Sequence, residues 1–257
     1  MKKQYTIDDL LSILKTLRGE NGCPWNKVQT HESIKKSMIE ETYEAIDALD
    51  QKNDAMFANE LGDVLLQVAF HATIAEERGA FNFDDVLNEI CTKLISRHTH
   101  VFGAEKAASA EEALSSWEKN KKKEKELKTY TDVLEDVPHG LPALMRAEKV
   151  QKKAASAGFD WEDVSGVLNK ISEEAVEVKA AQTSDEIAEE YGDLLFSVVN
   201  LGRFLKVTPE VELANATNKF IRRFAGMEKL VEDSGKEFAA LSPEEMDDLW
   251  KKAKRKS

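Results

Sequence analysis

Glu173-Glu174-Ala175-Val176-Glu177 and, further on, Glu190-Tyr191-Gly192-Asp193 decide how this chain reads. On helices, Glu174 and Glu177 share a face, and so do Glu190 and Asp193, because both pairs have i, i+3 spacing. Antiparallel pairing of two such helices brings four carboxylates together. Four carboxylates at close range do not all stay ionised unless something neutralises them. A hard divalent cation with oxygen ligands meets that need. The stretch also has a twin: Glu40-Glu41-Thr42-Tyr43-Glu44 is followed by Glu60-Leu61-Gly62-Asp63.

Working outward, the duplication extends to the flanks. Trp25 pairs with Trp161, Lys93-x-x-x-Arg97 with Lys219-x-x-x-Arg223, and Glu111-Glu112 before Trp117 with Glu244-Glu245 before Trp250. Between these blocks the apolar spacing is helical. Ile7, Leu10, Leu11, Leu14 and Leu17 form one stripe; Leu61, Val64, Leu65, Val68, Ala69 and Ala72 form another. Helices are expected over about 31–50, from Asn53 to Gly79, and after caps at Asn82, Ser109, Thr208-Pro209 and Ser242-Pro243. The expected fold is all-α, with two tandem helical-bundle domains at 1–125 and 143–257. The stretch 126–142 reads as a linker, since Pro138, Gly140 and Pro142 break any helix there.

Composition narrows the function. Of the 257 residues 33% are charged and 7% aromatic, with 12 Gly and 5 Pro, which favours helices over a sandwich or barrel. The net charge of −12 argues against binding a nucleic-acid polymer. No run approaches the roughly 18 apolar residues of a membrane span. Cys23 and Cys91 give no disulfide framework, and with no targeting signal at the start a cytoplasmic location is expected. Neither GxxxxGK[ST] nor GxGxxG occurs.

Each motif has a plainer alternative. With 48 acidic residues, an EExxE match can be a solvated helix face. Pairing with ExxD, twice, weighs against that. So does a glycine, Gly62 or Gly192, inside each helical pattern, where it costs about 1 kcal/mol against alanine. Its return at the same place suggests close approach of a backbone, a helix or a ligand. The clusters hold neither His nor Cys, so Mg²⁺, with Mn²⁺ as a possible substitute, fits better than a di-iron centre. Mg²⁺ is commonly shared with substrate phosphates. Lys93 with Arg97, and Lys219 with Arg223, lie one turn apart and can grip polyphosphate oxygens or merely decorate a surface. Trp250, in a polar segment, can stack on a nucleobase or edge the core. Trp25 and Trp161 read as packing residues, and His98 and His100 as local to the first half.

EETYE…ELGD and EEAVE…EYGD, together with GCPWNKVQT, RHTHVFG and GLPALMRAEKVQKKA, resemble the MazG family of nucleoside triphosphate pyrophosphohydrolases over nearly the whole chain. The acidic pattern alone is shared with sibling all-α dUTPases and phosphoribosyl-ATP pyrophosphohydrolases. The resemblance implies a homodimer that cleaves a broad range of NTPs and dNTPs to nucleoside monophosphate and pyrophosphate with Mg²⁺. It implies Glu174, Glu177, Glu190 and Asp193 as metal ligands and Lys170, Lys219, Arg223 and Trp250 as nucleotide contacts. By the repeat, Glu41, Glu44, Glu60 and Asp63 are the equivalent ligands, and Lys93 and Arg97 equivalent contacts. The family places the main activity in the second repeat, although the first quartet is intact. Glu173, beside Glu174, is a candidate base or second-metal ligand. Rival readings are a dUTP-directed enzyme and a non-catalytic, metal-stabilised scaffold for a protein partner.

Overall fold

The computed structural model describes residues 4–256, and every regular element among them is helical. The chain divides into two compact units, Met1–Glu124 and Lys125–Ser257. The first holds α1 (Ile7–Arg18), α2 (Pro24–Lys27), α3 (His31–Asp50), α4 (Asp54–Glu77), α5 (Phe83–Arg97), α6 (Thr99–Phe102) and α7 (Ala110–Glu124). The second holds α8 (Tyr130–Glu135), α9 (Ala143–Ser156), α10 (Val164–Ala180), α11 (Ser184–Leu205), α12 (Pro209–Asp233), a 3-10 turn (Phe238–Ala240) and α13 (Pro243–Lys256). The repeat is visible in the elements: α1, α3, α4, α5 and α7 correspond to α9, α10, α11, α12 and α13.

Short polar residues set the helix starts. Thr6 and Asp9 bond reciprocally at the head of α1, Asn82 and Asp85 do so for α5, and Ser242 and Glu245 do so for α13. At α12, Pro209 takes the first turn as expected, but Thr208 makes no side-chain cap bond. Thr129 and Asp132 cap α8, which lies within 126–142 and packs against α9. The expected helix break is at 136–142, between α8 and α9.

Each unit is built on a helical hairpin. In the first, α3 packs along α4, and α1 and α5 lie against α4 as well. Leu14, Ile34, Ala69, Phe70, Ala72, Ile74 and Phe83 fill the space between them. Arg18 ties α1 to the end of α4 through a two-pronged bond to Glu77, with both N–O distances at 2.6 Å. In the second, α10 packs along α11, α9 lies against α11, and α12 packs on α13 and α9. Gly202 lets the chain turn from α11 into α12: a Cβ there would lie 2.9 Å from Pro209 Cγ.

Two expectations about packing need correction. Trp161 does pack: its ring lies 2.7 Å from where a Cβ on Gly166 would stand. Trp25 does not, being 65% exposed, because α2 carries it outward. At Gly62 and Gly192 no backbone or neighbouring helix approaches; nothing in the chain lies within 4 Å of a Cβ built at either position. No helix among the described residues is long and apolar enough to cross a membrane.

Candidate metal and nucleotide site

The hairpins bring the acidic residues together in both units. On α3 and α4, Glu41, Glu60 and Asp63 each offer an oxygen, all within 4.8 Å of one another. On α10 and α11, Glu174, Glu177 and Glu190 do the same. Each unit thus gathers three of its four predicted ligands. Glu44 and Asp193 stand outside the trios, yet their charges reach them. Burial, then Asp63, Glu44, Glu60 and Glu40, push the Glu41 carboxyl above its ordinary value. Burial, then Glu177, Glu174, Asp193 and Glu189, do the same to Glu190.

The deepest member is Glu174, 4% exposed. Its Oε1 accepts a bond from Lys170 Nζ at 2.7 Å, while its Oε2 is buried without a hydrogen-bond partner. A buried, unpartnered carboxylate oxygen is costly unless something binds it. The donor set is all oxygen and fits Mg²⁺ or Mn²⁺. Lys170 also holds Glu173 at 2.8 Å, and these two contacts hold the ammonium in its charged form well above its ordinary range. The repeat puts Ser37 where the second unit has Lys170, and Asn59 where it has Glu189. Asn59 Nδ2 donates weakly to Glu60 Oε1 and Asp63 Oδ2, both at 3.4 Å. The two trios share two equivalent positions, Glu41 with Glu174 and Glu60 with Glu190; the third member is Asp63 in the first and Glu177 in the second, and the groups beside them differ as well. Asn59 was not foreseen, because an asparagine beside a motif carries no signal by itself.

The basic pairs fare differently. Arg97 does not reach toward the trio; it is turned to α7, bound to Glu124 at 2.9 and 2.8 Å and stacked 5.3 Å from the Trp117 ring. Lys93 pairs with Glu89 at 3.2 Å on the exposed side of α5. In the second unit Lys219 is exposed and Arg223 half-buried on α12, whose main packing partners are α13 and α9. Trp250 is half-buried with its ring 5.1 Å from Phe220, at the edge of a cluster that includes Phe224 and Phe238.

A cavity of about 250 Å³ lies between α9, α11 and the Gly158 turn. Phe159, Trp161 and Phe196 give it an apolar lining, and Arg203, clamped to Asp160 at 2.7 and 3.2 Å, stands at its side. Phe196 lies on the same helix as the trio's Glu190, six residues and about 9 Å further along it. The helical periodicity marks Phe196 and Arg203 only as α11 residues, and nothing in it separates cavity lining from core.

Comparison with known proteins agrees with this geometry. The MazG nucleotide pyrophosphohydrolase domain matches residues 29–102, which span α3, α4 and α5. The chain is 49% identical to the Nucleoside triphosphate pyrophosphohydrolase/pyrophosphatase MazG of Thermotoga maritima, over 96% of this chain and 95% of that protein. It is 43% identical to the Nucleoside triphosphate pyrophosphohydrolase of Escherichia coli K12, over 97% of each. It is also 47% identical to the uncharacterized protein YabN of Bacillus subtilis, over 95% of this chain and 50% of that one. Paired acidic hairpins and relatives of this identity over nearly full length place the chain in the MazG family of nucleotide pyrophosphohydrolases.

Proposed function

We propose that both acidic trios bind Mg²⁺ or Mn²⁺ and that the chain hydrolyses nucleoside triphosphates, ribo and deoxyribo alike, to nucleoside monophosphate and pyrophosphate. The observation that carries this is the buried, unpartnered Oε2 of Glu174 inside an all-oxygen trio, with a second all-oxygen trio on the matching hairpin of the other unit. The printed names of the T. maritima and E. coli relatives point to the same chemistry. Bound there, the cation would offset phosphate charge and make an attacking water more acidic.

The chain's own residues supply the rest. Glu41, Glu60 and Asp63, with Glu44 close by, hold the ion in the first unit. Glu174, Glu177 and Glu190, with Asp193 close by, hold it in the second. Glu173, with its side chain 58% exposed and beside Glu174, would take the proton of the attacking water. Lys170 moves from its two glutamates to the incoming phosphates, and Lys219 and Arg223 add charge from α12. The aromatic cavity offers a base a stacking surface with few hydrogen-bonding groups, which suits a broad range of bases. Gly62 and Gly192, each next to an acidic residue of its quartet, have open space around them that a ligand can use. A homodimer covers the apolar faces that α5 exposes at Leu87, Ile90 and Leu94 and α12 at Leu213, Phe220 and Ile221.

The test is product analysis with all eight common NTPs and dNTPs, with Mg²⁺ and with EDTA. Nucleoside monophosphate and pyrophosphate from most of them, lost with EDTA, is the expected result. Nucleoside diphosphate and orthophosphate would contradict the cleavage site. Turnover of dUTP alone would narrow the enzyme, and no turnover of any nucleotide would leave a scaffold.

A further inference from the structure

His31 and His71 take no part in the site described above. Their rings lie edge to edge with planes 6° apart and centroids at 5.1 Å, and their Nδ1 atoms are 2.8 Å from each other. His31 is the first residue of α3, directly after the cap Thr30, and His71 lies on α4. The remaining ring nitrogen of His31, Nε2, is buried without a partner. In the repeat these positions are Val164, the first residue of α10 after its cap Asp163, and Leu201 on α11. One hairpin is joined at this rung by two ionisable rings, while the matching positions of the other hold two aliphatic side chains.

We propose that the His31–His71 contact is a proton-operated clasp between α3 and α4, closed while one Nδ1 can accept from the other and opened when both rings are protonated, so that acid loosens the first unit and not the second. An Nδ1···Nδ1 contact of 2.8 Å needs one N–H and one lone pair. The neutral pair supplies both, and so does the singly protonated pair. Two imidazolium rings supply two N–H groups and no acceptor, and their charges repel in a partly buried place. The N-terminus of α3 adds its own partial positive charge beside His31. Burial, then the charge of His31, hold His71 below the ordinary histidine range.

The charged groups around the pair do not replace the missing acceptor. Glu32, next to His31 on α3, is fully solvated and senses both His31 and Arg78. Lys35 stands one turn further along α3. From α1, Arg18 is spent on Glu77 and the carbonyls of Asn26 and Gln29, and Lys15 is paired with Glu76 of α4 at 2.7 Å. The sign follows from linkage. A histidine whose folded form resists protonation adds stability that is full above about pH 6.5 and is lost as the pH falls through its lower folded value. The clasp lies about 15 Å from Glu41, ten residues at about 1.5 Å each along α3. Its opening therefore frays the end of the hairpin that carries the first trio while leaving the trio's own chemistry untouched.

Two measurements on the full-length protein test this. Nitrogen-detected NMR of histidine-labelled protein reads both rings between pH 5 and 8. Coupled titrations, with His71 changing below the range of an exposed histidine, are expected, and two independent titrations in the ordinary range would overturn the clasp. Hydrogen-exchange mass spectrometry, corrected for intrinsic rate, compares peptides of α3–α4 with those of α10–α11 at pH 7.5 and 5.5. Exchange in the first part of α3 and the last part of α4 should become several-fold faster at pH 5.5, with no acceleration in α10–α11. The double variant His31→Val with His71→Leu, which installs the residues of the second unit, should abolish that step. An acid step that persists in a folded double variant would also overturn the proposal. If the double variant fails to fold, the wild-type titration decides alone.

Discussion

At the scale of single residues, charge balance decides what each trio does without its cation. Glu41 and Glu190 are held above the ordinary glutamate value, so the stability they contribute is present at low pH and lost as the pH rises through their folded values. A bound cation reverses that loss. Mg²⁺ should therefore raise the melting temperature clearly at pH 7.5 and by much less at pH 5, which differential scanning calorimetry reads directly. An equal shift at both pH values would mean that the ion binds elsewhere. Lys170 sharpens the point, since its ammonium already occupies Glu174 Oε1. Lys170→Met removes a competing cation, so calorimetric Mg²⁺ affinity without nucleotide should rise while KM for NTP rises too. Weaker Mg²⁺ binding would instead make Lys170 a residue that orients Glu174.

At the scale of elements, the glycines separate packing from ligand space. Gly202→Ala puts a methyl 2.9 Å from Pro209 Cγ and should destabilise the protein by about 1–3 kcal/mol in urea melts. Gly192→Ala meets nothing within 4 Å and should stabilise α11 by up to about 1 kcal/mol, while lowering turnover if the space beside it receives substrate. The hairpins themselves were legible in the sequence because their information is local. The bounds of α3, the Asn53 cap of α4 and the turn at Gly79 follow from caps and apolar spacing within a few residues. Three acidic residues of each quartet were legible too, because i, i+3 spacing on paired helices fixes where carboxylates meet. The direction of Arg97 was not, since its choice of Glu124 depends on how α7 folds back, 27 residues later. Nor was the contact between His31 and His71, 40 residues apart, or the outward turn of Trp25. Long side chains take their partners from tertiary structure, and the spacing of a motif does not report them.

At the scale of the whole molecule, the chain carries one device twice with different surroundings. Glu189 and Lys170 flank the second trio, Asn59 and Ser37 the corresponding places of the first. The domain match falls on the first unit, while the buried Glu174 belongs to the second, so the proposal covers both trios. Apolar faces left open on α5 and α12 predict a dimer, and light scattering should give twice the mass of 28.9 kDa at micromolar protein. A fully active monomer would contradict that. The most direct test of the trios is steady-state pyrophosphate release by Glu41→Gln, Glu174→Gln and the double variant, each checked for fold by circular dichroism. Each exchange keeps shape and removes one ligand charge, and loss of one such transition-state contact commonly lowers the rate by about 10²–10³. Each single variant should lose the share of turnover its unit carries, and the double variant should fall by at least about 10². A folded double variant that still releases pyrophosphate at near the wild-type rate would contradict the assignment of the trios as the reaction centres.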